Sequence, residues 1–281
     1  MNTELEKIIK NALAEDIGSG DITTQAIVPK NIKGRGEFLV KQEGVIAGFE
    51  VLQTLFNIFD PSLTFTKNAA DGDRVTFGQI AAVVEGRAAS ILTAERTALN
   101  FFQRMSGIAT YAQKFLDEIK HTNTKILDTR KTAPGLRYID KLAVKLSGCQ
   151  NHRIGLYDMF LIKDNHIAVA GSITKAINAC KDFQKGNNSS FKIEVETTNL
   201  GEVKEALNCG VDFIMLDNFG LNEMKTAVDF IDGKCKTEAS GGIDLDTVKQ
   251  IAETGVDYIS IGALTHSVKA LDISLEIFGN V

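Results

Sequence analysis

The sequence predicts an α/β protein: a parallel barrel that follows a smaller α+β unit. Three observations carry that expectation. Short apolar runs recur at Ile126–Asp128, Met159–Ile162, Ile193–Val195, Phe213–Leu216, Cys235–Glu238 and Tyr258–Ile261. Helical patterns lie between most of them, at Ile173–Phe183, Leu200–Asn208, Leu221–Ile231 and Leu245–Glu253. The last four runs repeat about every 22 residues, the pitch of strand and crossover-helix units in a parallel sheet. Six such units favour a barrel, although periodicity alone does not separate it from a doubly wound sheet.

Before the barrel, residues 3–15 read as a helix. Leu5, Ile8, Ile9, Ala12 and Leu13 fall on one face, because positions three and four apart stack on a helix. Residues 16–21 hold two glycines and read as a loop. Strand-like runs follow at Gly36–Lys41, Leu63–Thr66 and Arg74–Val84, with a helix over about Glu50–Phe59 between the first two. Strands and helices without strict alternation indicate an α+β unit. A helix from about Ile91 to Ile119 leads onward, and its Arg96, Asn100 and Arg104 share one face. The expected domains are 1–105 and 106–269.

The 281 residues carry 31 Lys and Arg against 36 Asp and Glu, a net charge of −5. This argues against a nucleic-acid partner, since neutralising phosphates needs a basic surplus. No apolar run approaches the roughly 20 residues of a bilayer span, so no membrane partner is expected. The opening MNTELEKIIKNALAEDIG is charged and amphipathic, unlike a signal peptide. A cytoplasmic location is the expectation. Cys149, Cys180, Cys209 and Cys235 form no C-x-x-C pair, which reads as reduced thiols rather than a zinc or disulfide framework. No Walker loop, G-x-G-x-x-G, H-E-x-x-H or G-x-S-x-G occurs.

In a parallel barrel the loops after the strand C-termini build the site. Those positions read Asp128-Thr129-Arg130-Lys131, Lys163-Asp164-Asn165-His166, Glu194-Val195-Glu196, Asp217-Asn218, Ser240-Gly241-Gly242 and Gly262-Ala263, with His152-Arg153 between the first two. Taken singly, Arg137, Asp164, Asn218 and His121 read as solvated charges or helix caps. Six consecutive strand ends of this kind do not, since a purely structural barrel needs neither clustered cations nor carboxylates on adjacent strands. Glu194 and Glu196, two apart, point to the same side of their strand. Inside a barrel such a pair is costly unless it meets a cation, a metal or a cationic transition state.

The Ser240-Gly241-Gly242 turn lets backbone N–H groups approach an anion, because glycine has no Cβ in the way. Gly262 follows the next strand, and His266 comes four residues later near a short helix. Phosphate sites in such barrels use the final two βα loops and a helix N-terminus. Arg130, Lys131, His152, Arg153 and Lys163 crowd into 34 positions of an acidic chain. The residues describe an anion-binding barrel with a phosphate cradle at one side, carboxylates in the middle and cations opposite.

These residues resemble a known family. The segments Thr93–Asn100, Ser106–Thr110, Asp128–Arg137, Asn151–Leu156, Leu161–His166, Met215–Phe219, Ser240–Gly242 and Gly262–His266, in that order, are similar to quinolinate phosphoribosyltransferase, the carboxylating nicotinate-nucleotide pyrophosphorylase. Glu15-Asp16 and Gly20–Thr23 extend the likeness to the start. The resemblance implies an incomplete, seven-stranded α/β barrel with an N-terminal α+β sandwich domain, to which the segment 270–281 returns. It implies that quinolinate and phosphoribosyl pyrophosphate give nicotinate mononucleotide, pyrophosphate and CO2, with Mg2+. It implies a homodimer in which Arg96 reaches the partner's site. The chain departs from the family at Ser147-Gly148-Cys149-Gln150, where relatives carry a run of three glycines; a side chain there would alter the loop before His152 if φ were positive.

On that resemblance, Arg96, Arg130, Arg153 and Lys163, assisted by His152, are expected to hold the two carboxylates, a task suited to the planar fork of arginine. Lys131, Glu196 and Asp217 are the expected catalytic residues. Lys131 would neutralise the departing pyrophosphate; Glu196 and Asp217 would stabilise an oxocarbenium-like centre and hold the metal, with Glu194 as a second carboxylate. Ser240, Gly241, Gly242, Gly262 and His266 would take the 5′-phosphate. Four rivals stand beside this reading: a molybdenum-associated pyrophosphorylase-like relative, a nicotinate-specific transferase, a Schiff-base aldolase using Lys163, and a non-catalytic phosphate-binding barrel.

Overall fold

Residues 3–279 are described in the computed structural model. The chain opens with α1 (Thr3–Ile17), which buries Leu5, Ile8, Ile9 and Leu13, the stripe its periodicity predicts. After the loop comes α2 (Ile22–Ile27), a short helix that periodicity does not reveal. It starts where the Asp21 carboxylate accepts the Thr24 amide at 2.9 Å, a side-chain N-cap. Then follow β1 (Lys33–Val40), β2 (Gly44–Val45), α3 (Phe49–Phe59), β3 (Thr64–Lys67), β4 (Arg74–Val75), β5 (Ile80–Arg87) and the long α4 (Ala88–Ile119). The run expected as one strand over Arg74–Val84 is two, because a turn interrupts it. There Gly78 takes a left-handed φ of 83° and Gln79 N–H donates to the Thr76 carbonyl.

The remaining elements are β6 (Lys125–Leu127), α5 (Arg137–Leu146), β7 (Phe160–Ile162), α6 (Asp164–Ala170), α7 (Ile173–Asn187), β8 (Ile193–Thr197), α8 (Leu200–Asn208), β9 (Phe213–Asp217), α9 (Leu221–Ile231), β10 (Lys236–Ser240), α10 (Val248–Glu253), β11 (Tyr258–Ser260), α11 (Ala263–His266) and β12 (Ile273–Gly279). All six strands expected for the barrel are present.

Contacts divide the chain into two units. One holds the residues up to Gln113, Thr132–Gly148 and those from Ala263 onward; the other holds Lys114–Lys131 and Cys149–Gly262. The division expected from sequence, 1–105 with 270–281 against 106–269, assigns 106–113, 132–148 and 263–269 differently. The first two and last two residues of those ranges lie outside the described residues.

In the first unit an antiparallel sheet runs β12–β1–β5–β3. The last strand pairs with β1, Ile273 opposite Val40 and Gly279 opposite Gly34. Burial alternates along β1, as a strand packed on one face requires. Phe38 sits at the centre of that face and meets the rings of Phe56, Phe65 and Phe102 edge-on at 5.7–6.3 Å. Beside this core, the Asp140 carboxylate is fully buried and accepts Arg104 Nε and Nη2, each at 2.8 Å, and the Ala133 amide at 3.2 Å. Asp140→Ala is expected to cost about 3–5 kcal/mol, since it strands the arginine without its partner. Urea unfolding of the variant measures it.

The second unit is a parallel sheet in the order β7–β8–β9–β10–β11–β6. The middles of β8, β9 and β10 are buried residue after residue, the mark of strands covered on both faces. Helices alternate with strands as the incomplete barrel demands. Seven strands were expected, and six form ladders. The seventh position is reduced to one parallel bridge from Leu127 to Gln150. Gly148, at φ 97°, turns the chain just before it, and the buried Asp128 carboxylate takes Asn151 Nδ2 and the His152 amide just after it. Backbone on either side is diverted, so the strand cannot lengthen. The departure at 147–150 is thereby accommodated: of these four residues only Gly148 has a positive φ, so the side chains of Ser147, Cys149 and Gln150 impose no left-handed strain.

Candidate active site

The strand ends of the barrel open into a cavity of about 300 Å3, lined by Thr129, Arg130, Lys131, His152, Arg153, Leu161, Lys163, Met215, Glu238, Ser240 and Ser260. Seven of the residues expected for the site from sequence thus share it or border it directly: Arg130, Lys131, His152, Arg153, Lys163 and Ser240 as lining, and Glu196 through its ion pair with Lys163 at 3.0 Å. Arg96, exposed on α4, and His266, at the end of α11 with its Nδ1 2.7 Å from Ser267 Oγ, belong to the other unit.

Asp128 builds one wall. It follows β6 directly with no solvent exposure, and its two oxygens fix the Asn151 side chain at 2.6 Å and the His152 amide at 2.9 Å. The Arg153 amide in turn donates to His152 Nδ1 at 2.7 Å. Since Nδ1 accepts, the ring proton of His152 sits on Nε2. Arg153 continues into a turn closed by Asp158, whose carboxylate accepts the amides of Ile154 and Gly155, while its Nη1 donates to the Met159 carbonyl at 3.1 Å.

Arg153 is held against its own preference. Burial depresses the Arg153 guanidinium, and the charge of Arg130 depresses it further. Arg130 Nε is buried and has no hydrogen-bond partner. Buried donors are nearly always paired, so an orphaned guanidinium donor beside a second guanidinium in an open cavity calls for an anionic ligand.

Opposite them stands a carboxyl pair. Glu194 Oε2 lies 3.0 Å from His152 Nε2 and Glu238 Oε1 lies 3.5 Å from it. Neither glutamate is more than 1% exposed. Burial pushes Glu194 up to about 7, with Arg153 and Lys163 opposing it; burial and the charge of Glu194 push Glu238 up to about 8. Apart from the nearby His152 Nε2 they lack donors: both oxygens of Glu194 and Oε1 of Glu238 are buried and make no well-aligned hydrogen bond. One proton shared between them would supply the missing hydrogen bond, as in other close carboxyl pairs. One ligand atom from each of His152, Glu194 and Glu238 lies within 4.8 Å of the others.

The glycine turn packs closely on Asn218. Gly241 has φ 100° and Gly242 has φ 58°. A Cβ at Gly241 would fall 2.2 Å from Asn218 Oδ1 and 3.0 Å from its backbone nitrogen. Asn218, itself left-handed at φ 56°, donates its amide to the Ser240 carbonyl at 2.9 Å and its Nδ2 to Asp217 at 2.8 Å. It therefore couples the glycine turn to Asp217, beyond the helix cap its sequence position indicates. Gly241→Ala is expected to destabilise the protein by about 1–3 kcal/mol through a disfavoured φ and that clash, read as a lowered thermal midpoint.

Sequence reasoning missed Glu238. Its signal was available: a glutamate two residues before Ser240 on one strand points to the same side, the parity that singles out Glu194 and Glu196. Its place inside an expected apolar strand hid it.

Fold and site together define an α/β-barrel protein with cationic side chains gathered around a cavity at its strand ends. Residues 21–106 match the quinolinate phosphoribosyl transferase N-terminal domain, and residues 108–276 match the C-terminal domain of the same family. The chain belongs to the quinolinate phosphoribosyl transferase family. It is 46% identical to quinolinate phosphoribosyltransferase [decarboxylating] 1b of Nicotiana tabacum, over 98% of this chain and 82% of that one. It is 41% identical to the probable nicotinate-nucleotide pyrophosphorylase [carboxylating] of Bacillus subtilis, over 98% and 93%. The solved structure of NadC from Streptococcus pyogenes superposes with a TM-score of 0.94 at 38% identity, covering 99% of this chain and 98% of that one. Among the described residues no helix is long and apolar enough to cross a membrane.

Proposed function

We propose that the chain transfers the phosphoribosyl group of phosphoribosyl pyrophosphate to quinolinate, with decarboxylation, giving nicotinate mononucleotide, pyrophosphate and CO2. The observation that carries this reading is the half-buried pair Arg130 and Arg153 in a cavity shared with Lys131 and Lys163. Four cationic side chains around about 300 Å3 exceed what one carboxylate requires and suit an acid with two. Membership of the family supports the same substrate.

In this account Arg130, Arg153 and Lys163 bind the carboxylates with His152, and Arg96 enters from the partner of a homodimer. Lys131 faces the departing pyrophosphate. Ser240, Gly241, Gly242, Gly262 and His266 take the 5′-phosphate. Glu196 and Asp217, hard oxygen donors at the ends of neighbouring strands, are the donor type Mg2+ prefers and are the residues that would hold it. Bound there, magnesium would offset charge on the pyrophosphate. The carboxylates also favour positive charge growing on the sugar as its bond to pyrophosphate loosens. No protein nucleophile is required. A cytoplasmic location is retained as part of the proposal, as are the absence of nucleic-acid and membrane partners.

Acceptor choice tests the reading. Purified protein supplied with phosphoribosyl pyrophosphate and Mg2+ should use quinolinate and leave nicotinate untouched. Equal or better use of nicotinate would favour a nicotinate-specific transferase.

A further inference from the structure

We propose that Asp128 is a positioning residue: its buried carboxyl holds His152 and Arg153 in the geometry that binds quinolinate. This rests on the quinolinate reading above.

His152 and Arg153 stand on chain outside any helix or strand, between the Leu127–Gln150 bridge and β7. Such chain has no ladder to order it, and a ligand that had to order it would bind more weakly. The bonds that do order it converge on one side chain. Asp128 has no exposed surface, so it acts through its neighbours. Its Oδ2 accepts Asn151 Nδ2 at 2.6 Å and its Oδ1 accepts the His152 amide at 2.9 Å. Its own N–H donates to the Gln150 carbonyl at 3.2 Å. From His152 the order passes on, since Nδ1 accepts the Arg153 amide at 2.7 Å and Arg153 Nη1 reaches the Met159 carbonyl at 3.1 Å. Thr129, Arg130 and Lys131, which line the cavity, follow Asp128 directly in the chain. One carboxyl therefore stands where the two cation-bearing segments meet.

The type of side chain matters. A carboxyl offers an acceptor oxygen to each of the two donors. An alanine removes both bonds. An asparagine keeps one acceptor for the His152 amide, and Asn151, an exposed residue, can turn its amide oxygen toward the new amino group. The loss on removing the carboxyl falls on the pyridine acid, which His152 and Arg153 bind. Phosphoribosyl pyrophosphate is spared, because its proposed partners Lys131, Ser240 and the glycine turns lie outside residues 151–153.

Steady-state kinetics with each substrate varied in turn reads this out. Asp128→Ala should raise the quinolinate KM by about tenfold or more, the scale of one hydrogen bond to a charged group, with kcat and the phosphoribosyl pyrophosphate KM within about twofold of wild type. Asp128→Asn should recover most of the loss, to within about threefold of the wild-type quinolinate KM. A purely structural role gives a different pattern, since less folded enzyme lowers kcat and moves neither KM. That pattern, an unchanged quinolinate KM, or Asp128→Asn as impaired as Asp128→Ala would overturn the proposal, while turnover of quinolinate by the wild type keeps the quinolinate reading. If Asp128→Ala does not fold, Asn151→Ala decides. At its exposed position it removes one of the two bonds, and the quinolinate KM alone should rise about threefold or more; no rise overturns the proposal. Wild-type protein that makes no nucleotide from quinolinate would overturn both.

Discussion

Replacing Lys131 with alanine should lower kcat by about 10²–10³-fold, the loss seen when one preorganised group facing developing charge is removed. Lys131 follows Arg130 directly on the loop after β6 and lines the cavity. Its backbone is fixed there by the hydrogen bond its N–H donates to Thr129 Oγ1 at 3.0 Å. In the proposed reaction the pyrophosphate gains charge only as the glycosidic bond loosens. An ammonium placed against it therefore acts on the transition state more than on bound substrate, and the loss should appear in kcat rather than in the quinolinate KM. Steady-state kinetics with both substrates varied separates the two. A variant with raised quinolinate KM and unchanged kcat would move Lys131 into the carboxylate-binding set.

Arg153→Ala should do the reverse, weakening quinolinate by one to two orders of magnitude. A hydrogen bond to a charged group is worth about 1.5–3 kcal/mol, and each 1.4 kcal/mol is about tenfold in affinity. The side chain is partly committed to its own scaffold through the Met159 carbonyl, which fixes the orientation of its fork. Burial and the neighbouring Arg130 charge both disfavour the Arg153 guanidinium. A dicarboxylate relieves the repulsion, so part of the binding energy is prepared before the ligand arrives. Unchanged constants in this variant would remove Arg153 from the proposed site.

The difference between the legible and hidden parts of the molecule is physical. The barrel strands announce themselves because burial on both faces demands unbroken apolar runs, and crossover helices demand regular spacing. The cavity residues show because cations and glycines at strand ends conflict with the needs of a core. What stayed hidden depends on contacts between distant segments. Gln150 looks like any loop residue until Leu127 bridges to it. Asn218 reads as a cap, yet it ties Asp217 to the glycine turn across two loops. Glu238 is an inward-facing acid whose meaning appears only when Glu194, from the strand beyond β9, is brought against it. α2 is too short to show a periodicity and rests on the Asp21 cap.

The central claim is that paired cations at the barrel mouth bind a pyridine dicarboxylate for phosphoribosyl transfer. Incubating the purified protein with quinolinate, phosphoribosyl pyrophosphate and Mg2+, and quantifying nicotinate mononucleotide, pyrophosphate and CO2 together, tests it most directly. The account predicts that all three appear in equal amounts and that none forms without quinolinate. Pyrophosphate released without nucleotide, or nucleotide formed without CO2, would contradict it.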